Sequence, residues 1–175
     1  DDLLDVTDEM MAYLRGKRDD LHVMTVVDGQ PREFFNEREI AHMEDVRGLF
    51  LGAITLRRVC AAAAAACVVL MALLKADVKR LLPRTLCAGI GLFFLAAAAV
   101  GLLIASDFSR YFIVFHHIFF DNDLWILNPA TYLLINIVPE PFFADTAFYI
   151  GATFGLSALV LFAVCLFFSL RGRRS

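Results

Sequence analysis

The chain has 175 residues, of which 59% are hydrophobic, with a mean hydropathy of +0.67 and a formal net charge of -3. Positions 1–50 hold 13 acidic and 6 basic residues, so the acidity sits at the N-terminal end and the remainder is basic. Long apolar runs beside a charged stretch mark a helical membrane domain with an aqueous appendage, and the acidic excess excludes nucleic acid as a partner.

The opening residues, Asp1-Asp2-Leu3-Leu4-Asp5, follow neither an initiator methionine nor a signal peptide, and they predict a further segment upstream. Residues 1–50 are expected to form a cap of helix, β-hairpin and helix. The hairpin is LHVMTVV-DG-QPREFF, in which Asp28-Gly29 is the dipeptide favoured in a tight primed turn between β-prone runs. Asn36 with Glu39 then opens the second helix, EREIAHMEDVRGLF, as a capping box, and this helix can run directly into the membrane.

Residues 51–175 form the expected transmembrane domain, with spans near 59–74, 86–105 and 147–170. The second and third runs each supply the roughly 20 residues that cross the hydrocarbon. The first is short and Ala-rich, but Leu49–Leu56 extends it, and Arg57-Arg58 can snorkel at its boundary. Lys75, Lys79, Arg80 and Arg84 fill the loop between spans one and two, and Arg171, Arg173 and Arg174 close the chain, which places both sites in the cytoplasm. The cap is then outside. Translocating it requires an upstream signal or span, so the expected architecture has four spans, three of them here. Cys60, Cys67, Cys87 and Cys165 all lie in apolar runs without C-x-x-C spacing and are read as packing or lipid-facing residues.

Residues 106–146, between spans two and three, are too polar and Pro-punctuated to cross and too aromatic for a solvated loop, so they are expected in the outer interface. Here and in the cap lie the residues fit for chemistry. His42 and Asp45 are spaced i, i+3, so that the carboxylate can orient the imidazole or raise its basicity; the plainer alternative is a solvated helix face. His116 and His117, in VFHHIFF, point about 100° apart on a helix and rarely reach one target. They are followed by Asp121, Asn122, Asp123 and Trp125, polar groups on a hydrophobic bed that suits a lipid ester better than a soluble metabolite.

Other chemistries are open at this level. His42, His116, Asp45 and Asp123 can be grouped around zinc as a metal-dependent membrane hydrolase, though no H-E-x-x-H, H-x-x-x-H or C-x-x-C spacing supports it. Ser157 lacks the G-x-S-x-G context of a nucleophile. A non-enzymatic membrane protein that binds a lipid or protein partner, with the histidines completing a packed polar layer, is the remaining alternative. The three spans carry none of the ionisable groups that channels and transporters place there.

Two blocks carry a resemblance. EIAHMEDVRGLF, and after one helical hairpin FHHIFFDNDLWILNPATYLLINIVPEPFF, resemble the bacterial integral membrane family that includes the lipoprotein intramolecular transacylase, Lit, from about Tyr13 through the third span. Arg47 stands where the family pattern has Lys, and Tyr132 where it has Asp. The resemblance implies a multi-pass enzyme of the bacterial cytoplasmic membrane with its site on the extracytoplasmic side. It implies transfer of an acyl chain within a diacylglyceryl lipoprotein to the α-amine of the N-terminal cysteine, giving an N-acyl, S-monoacylglyceryl product without cofactor or metal. Its partners would be diacylglyceryl lipoproteins and membrane lipids. The family histidines match His42 and His116, while His117 falls at a variable position. His116, on its apolar bed, is expected as the proton-abstracting base and His42 as its partner; Asp45, Asn122, Asp123, Trp125 and Glu140 are expected to orient the histidines, fix the loop or hold the substrate head group.

Overall fold

The computed structural model describes residues 2–27 and 29–171 of a mainly helical chain. Its elements run α1 (Asp2–Leu14), β1 (Met24–Val27), β2 (Gln30–Glu33), α2 (Glu37–Leu73), α3 (Val78–Ser106), α4 (Phe108–Phe119), α5 (Leu134–Ile137) and α6 (Glu140–Arg171). They fall into two compact units, one from the stretch up to Cys60 with Val114–Glu140, the other from Ala61–Ile113 with the residues from Pro141 onward.

The first unit holds a conventional core. On α1, Val6, Met10, Tyr13 and Leu14 recur at helical spacing and are buried, joined by Leu21, Val23, Phe34, Phe35, Met43 and Leu134. The hairpin pairs Met24 with Glu33 and Val27 with Gln30, which leaves two residues for the turn. Gly29 takes a φ of 76°, the positive value a primed turn demands, while Asp28 of the expected dipeptide lies outside the described residues. Gly16 ends α1 at φ 70°, with Gly16 N–H donating to the Tyr13 carbonyl and Lys17 N–H to that of Ala12, the paired bonds of a Schellman ending. A side chain at Gly16 would also meet Leu51 Cδ2 at 3.1 Å from its Cβ.

Arg47, on α2, fixes that ending. Its Nε–H donates to the Tyr13 carbonyl at 3.1 Å and its Nη2 to that of Arg18 at 3.0 Å, and the guanidinium lies 4.7 Å from the centre of the Tyr13 ring. Lysine, with one ammonium, cannot span both carbonyls while stacking flat on a ring. Arg47→Lys is therefore expected to destabilise this unit by about 1–2 kcal/mol, read as a lowered thermal midpoint in detergent; a variant as stable as the wild type would contradict it.

The remaining helices supply the membrane part. Three of them, α2, α3 and α6, are long and apolar enough to cross a bilayer, and all extend beyond the apolar runs near 59–74, 86–105 and 147–170. At 37 residues α2 is roughly 55 Å long against roughly 30 Å of hydrocarbon, so its polar opening from Glu37 to Arg47 is surplus to a crossing. Contacts within the second unit include Phe93 on Phe154 at 5.2 Å, Phe112 on Phe143 at 5.5 Å, and Cys87 Sγ 3.9 Å from the Phe162 carbonyl. The four cysteines are free thiols; Cys165 is buried, Cys87 half-buried, Cys60 and Cys67 exposed. The interfacial segment 106–146 is more regular than its composition suggests, since α4 occupies its first part. Arg173 and Arg174, part of the orientation argument, lie outside the described residues.

Candidate active site

The site begins at the cap of α2. Asn36 Oδ1 accepts from the N–H groups of Arg38 and Glu39, and Glu39 Oε2 accepts from Asn36 N–H at 2.8 Å, completing the capping box legible in the sequence. Fixing this first turn fixes the helical phase of everything after it, and His42 and Met43 come to face inward. His42 is 7% exposed.

The second histidine comes from α4. The helix is amphipathic, and its last turn brings His116 to 8% exposure while leaving His117 outside. The two buried imidazoles lie with ring centres 6.2 Å apart, at 31°. Phe120 packs against both, 5.3 Å from His42 and 5.5 Å from His116. Trp125 packs on His116 at 4.7 Å and 31°, and His117 meets the same indole edge-on at 5.3 Å. The 100° offset between neighbouring residues thus sends one histidine to the pair and the other to the rim.

Three ties from α2 hold the loop that carries Trp125. Asp45 Oδ2 accepts from Asn122 Nδ2 at 2.8 Å; the Arg38 guanidinium donates to the Asp123 carbonyl and stands 3.3 Å from its carboxylate; and Glu39 Oε1 accepts from Leu134 N–H at 2.7 Å. Within the loop Trp125 Nε1–H donates to the Asn122 carbonyl, and Asn122 Oδ1 accepts from Leu124 N–H. Asp45 is thus spent on Asn122, not on the His42 ring: His42 Nδ1 is buried and has no hydrogen-bond partner among the described residues. Tyr132 lies half-buried in the turn built on Asn128, whose carbonyl accepts from Tyr132 N–H. Glu140 opens α6, a favourable place for a carboxylate at a helix N-terminus.

Burial pushes the His42 imidazolium from the ordinary 6.5 down to about 4; proximity to His116 and the positive Arg38 add to this, and Asp45 opposes it. His42 is therefore neutral at physiological pH. Between pH 6.5 and 4 the unfolded chain binds a proton at this residue that the folded protein refuses, so stability falls as pH falls through that window, by up to about 3 kcal/mol. Trp125 is the single tryptophan and rests on His116, so its fluorescence reads melting of this unit directly. The expected result is an acid loss of thermal midpoint in the wild type that is much reduced in His42→Gln; parallel curves would contradict it.

Among the described residues no three of His, Cys, Asp and Glu come together as a possible metal-binding group, and Asp45 and Asp123 turn to Asn122 and Arg38. Ser157 Oγ donates to the Thr153 carbonyl of its own helix. Three contributors escaped the sequence reading: Arg38, the second oxygen of Glu39, and Phe120. Only the i, i+4 spacing of Arg38 and His42 on one helix face was there to find the first.

A family model described as lipoprotein intramolecular transacylase Lit matches residues 1–143. The solved in meso structure of the membrane integral lipoprotein intramolecular transacylase Lit from Bacillus cereus is similar in fold, with a TM-score of 0.80 at 20% identity over 99% of this chain and 75% of that one. No curated protein sequence matches the chain.

Proposed function

The chain belongs to the lipoprotein intramolecular transacylase family, Lit, membrane enzymes that transfer acyl groups, and on that premise we propose that it moves an acyl chain within a diacylglyceryl lipoprotein onto the α-amine of the N-terminal cysteine. The observation that carries the reading is the pair of buried imidazoles, 6.2 Å apart, at the end of a membrane helix and walled by aromatic rings.

The chemistry needs what such a pair provides. An α-amine with a pKa of roughly 7.7–8.0 is mostly ammonium at neutral pH and must lose a proton before it attacks the ester carbonyl. In this reading that first proton leaves to water; as the free amine nitrogen bonds to the carbonyl carbon, His116 takes the second proton it must shed, and the tetrahedral intermediate collapses with the glyceryl oxygen leaving. The leaving oxygen takes a proton back from the imidazolium, so the pair ends as it began. Neutral His42 beside it offers a ring nitrogen to the reacting oxygens without adding a competing charge. The aromatic wall of Phe115, Phe120 and Trp125 keeps water from the ester, whose hydrolysis is the competing reaction. Because amine and ester belong to one molecule, positioning supplies much of the acceleration. The basic loop Lys75–Arg84 supports an extracytoplasmic site, on the side where lipoproteins are displayed.

The test uses purified full-length protein in lipid vesicles with a synthetic diacylglyceryl lipopeptide and no added acyl donor. The α-amine is expected to lose its reactivity toward an amine-labelling reagent while the molecular mass stays unchanged, since the chain only migrates. Release of free fatty acid with the amine still reactive would instead indicate a hydrolase, and no change in either would leave a binding protein.

A further inference from the structure

Among the described residues three buried side-chain nitrogens lack a hydrogen-bond partner, and two of them, Arg38 Nε and His42 Nδ1, belong to one helix. Residues four apart on a helix lie on one face about 6 Å apart along the axis, so Arg38 shares a face of α2 with His42, whose ring packs near that of His116. Buried polar groups are nearly always satisfied, so two orphans on one helix face call for a partner from outside the chain, water or substrate. Arginine only donates and stays charged, so what binds Arg38 Nε must be an acceptor, and a negatively charged one gains most.

Arg38 is held for such a task. Its Nη2 end is tied to the carbonyl and the carboxylate of Asp123, which leaves Nε–H directed elsewhere. Its charge is also felt at the His42 ring, which places the guanidinium within electrostatic reach of the histidine pair. We infer that Arg38 is the oxyanion donor of the transfer, its Nε–H donating to the acyl carbonyl oxygen of the substrate. This rests on the transacylase reading above and adds a catalytic residue to it. As the amine nitrogen bonds to the carbonyl carbon, the carbonyl π pair moves onto oxygen and the resulting negative charge meets a fixed cation. When the C–O bond to glycerol breaks, that pair returns to re-form the carbonyl, the glyceryl oxygen takes the proton held by the histidine, and Arg38 ends unchanged. A preorganised donor costs no reorganisation during the reaction, and loss of one such donor lowers turnover by roughly 10²–10³-fold.

The experiment measures kcat, KM and the Trp125 melting midpoint for full-length wild type, Arg38→Lys, Arg38→Gln and Arg38→Ala, reconstituted in vesicles with the synthetic diacylglyceryl lipopeptide. Arg38→Lys keeps a cation near Asp123 but has no Nε–H. The expected result is that Arg38→Gln loses roughly 10²–10³-fold in kcat with KM nearly unchanged, that Arg38→Lys loses at least about tenfold while melting close to the wild type, and that ethylguanidine restores part of the turnover of Arg38→Ala. Wild-type kcat in Arg38→Lys, or losses that track the melting midpoint and are not relieved by ethylguanidine, would reduce Arg38 to a loop anchor and overturn the inference while the transacylase reading stood. An inactive wild-type protein would overturn both.

Discussion

His116→Ala is expected to abolish acyl transfer while leaving the protein folded, and His42→Ala to do nearly the same. Each removes one imidazole from a pair that nothing else nearby duplicates: Asp45 is engaged by Asn122, Asp123 by Arg38, and His117 is on the exposed side of Trp125. A positioned base is worth about 10²–10⁴-fold, so each variant is expected to lose turnover by a factor of that order. His117→Ala should be much milder, because the rim histidine contacts the indole edge and stands outside the buried pair. Trp125 emission gives the folding control, and it should be shifted in His116→Ala, where the ring stacked on the indole is gone, without loss of the cooperative melt. Comparable activity in all three variants would end the two-histidine mechanism.

Glu39→Ala carries the largest expected effect on stability. The side chain is 1% exposed, and its two oxygens serve N–H groups 98 positions apart in the chain, Asn36 at the cap of α2 and Leu134 at the start of α5. Alanine would leave Leu134 N–H without an acceptor inside the core that contains Phe35 and Met43, and would strip the part-buried Asn36 N–H of its partner at the helix cap. Each charge-assisted bond contributes about 1.5–3 kcal/mol and each buried orphan costs about as much as it loses, so a total of about 3–5 kcal/mol is expected. Glu39→Gln keeps one acceptor and should fall between. The measurement is the thermal midpoint of Trp125 fluorescence, and a Glu39→Ala variant within about 1 kcal/mol of the wild type would contradict the assigned role.

What the sequence revealed and what it hid divide along the range of the interactions. The capping box at Asn36 and Glu39 and the tight turn at Gly29 are local devices, so their residues announce them at fixed spacing. The long apolar runs likewise announce helices, although charged residues at their ends continue the helices further than hydropathy implies. His42 and His116 were legible as candidates, because a polar ring in an apolar segment is conspicuous, but their 6.2 Å pairing is a tertiary fact. The same holds for Asp45: i, i+3 spacing suggested His42 as its partner, and the structure gives it Asn122, 77 positions away. Arg38 went unnoticed because an arginine among glutamates at a helix start reads as a solvated charge, and only the fold reveals that its Nε is buried. The segment 106–146 was harder still, since its aromatic residues fit an interfacial loop as well as the α4 helix found there.

If this membrane chain relocates an acyl group by way of its buried histidine pair, tandem mass spectrometry of an N-terminal lipopeptide will show the relocation. The lipopeptide would come from cells that make only diacylglyceryl lipoproteins, expressing the wild-type protein or His116→Ala at equal levels. Fragmentation is needed because migration leaves the mass unchanged. An acyl chain is expected on the cysteine nitrogen with the wild type and on glycerol alone with the variant. A diacylglyceryl peptide in both, or an N-acylated one in both, would contradict it.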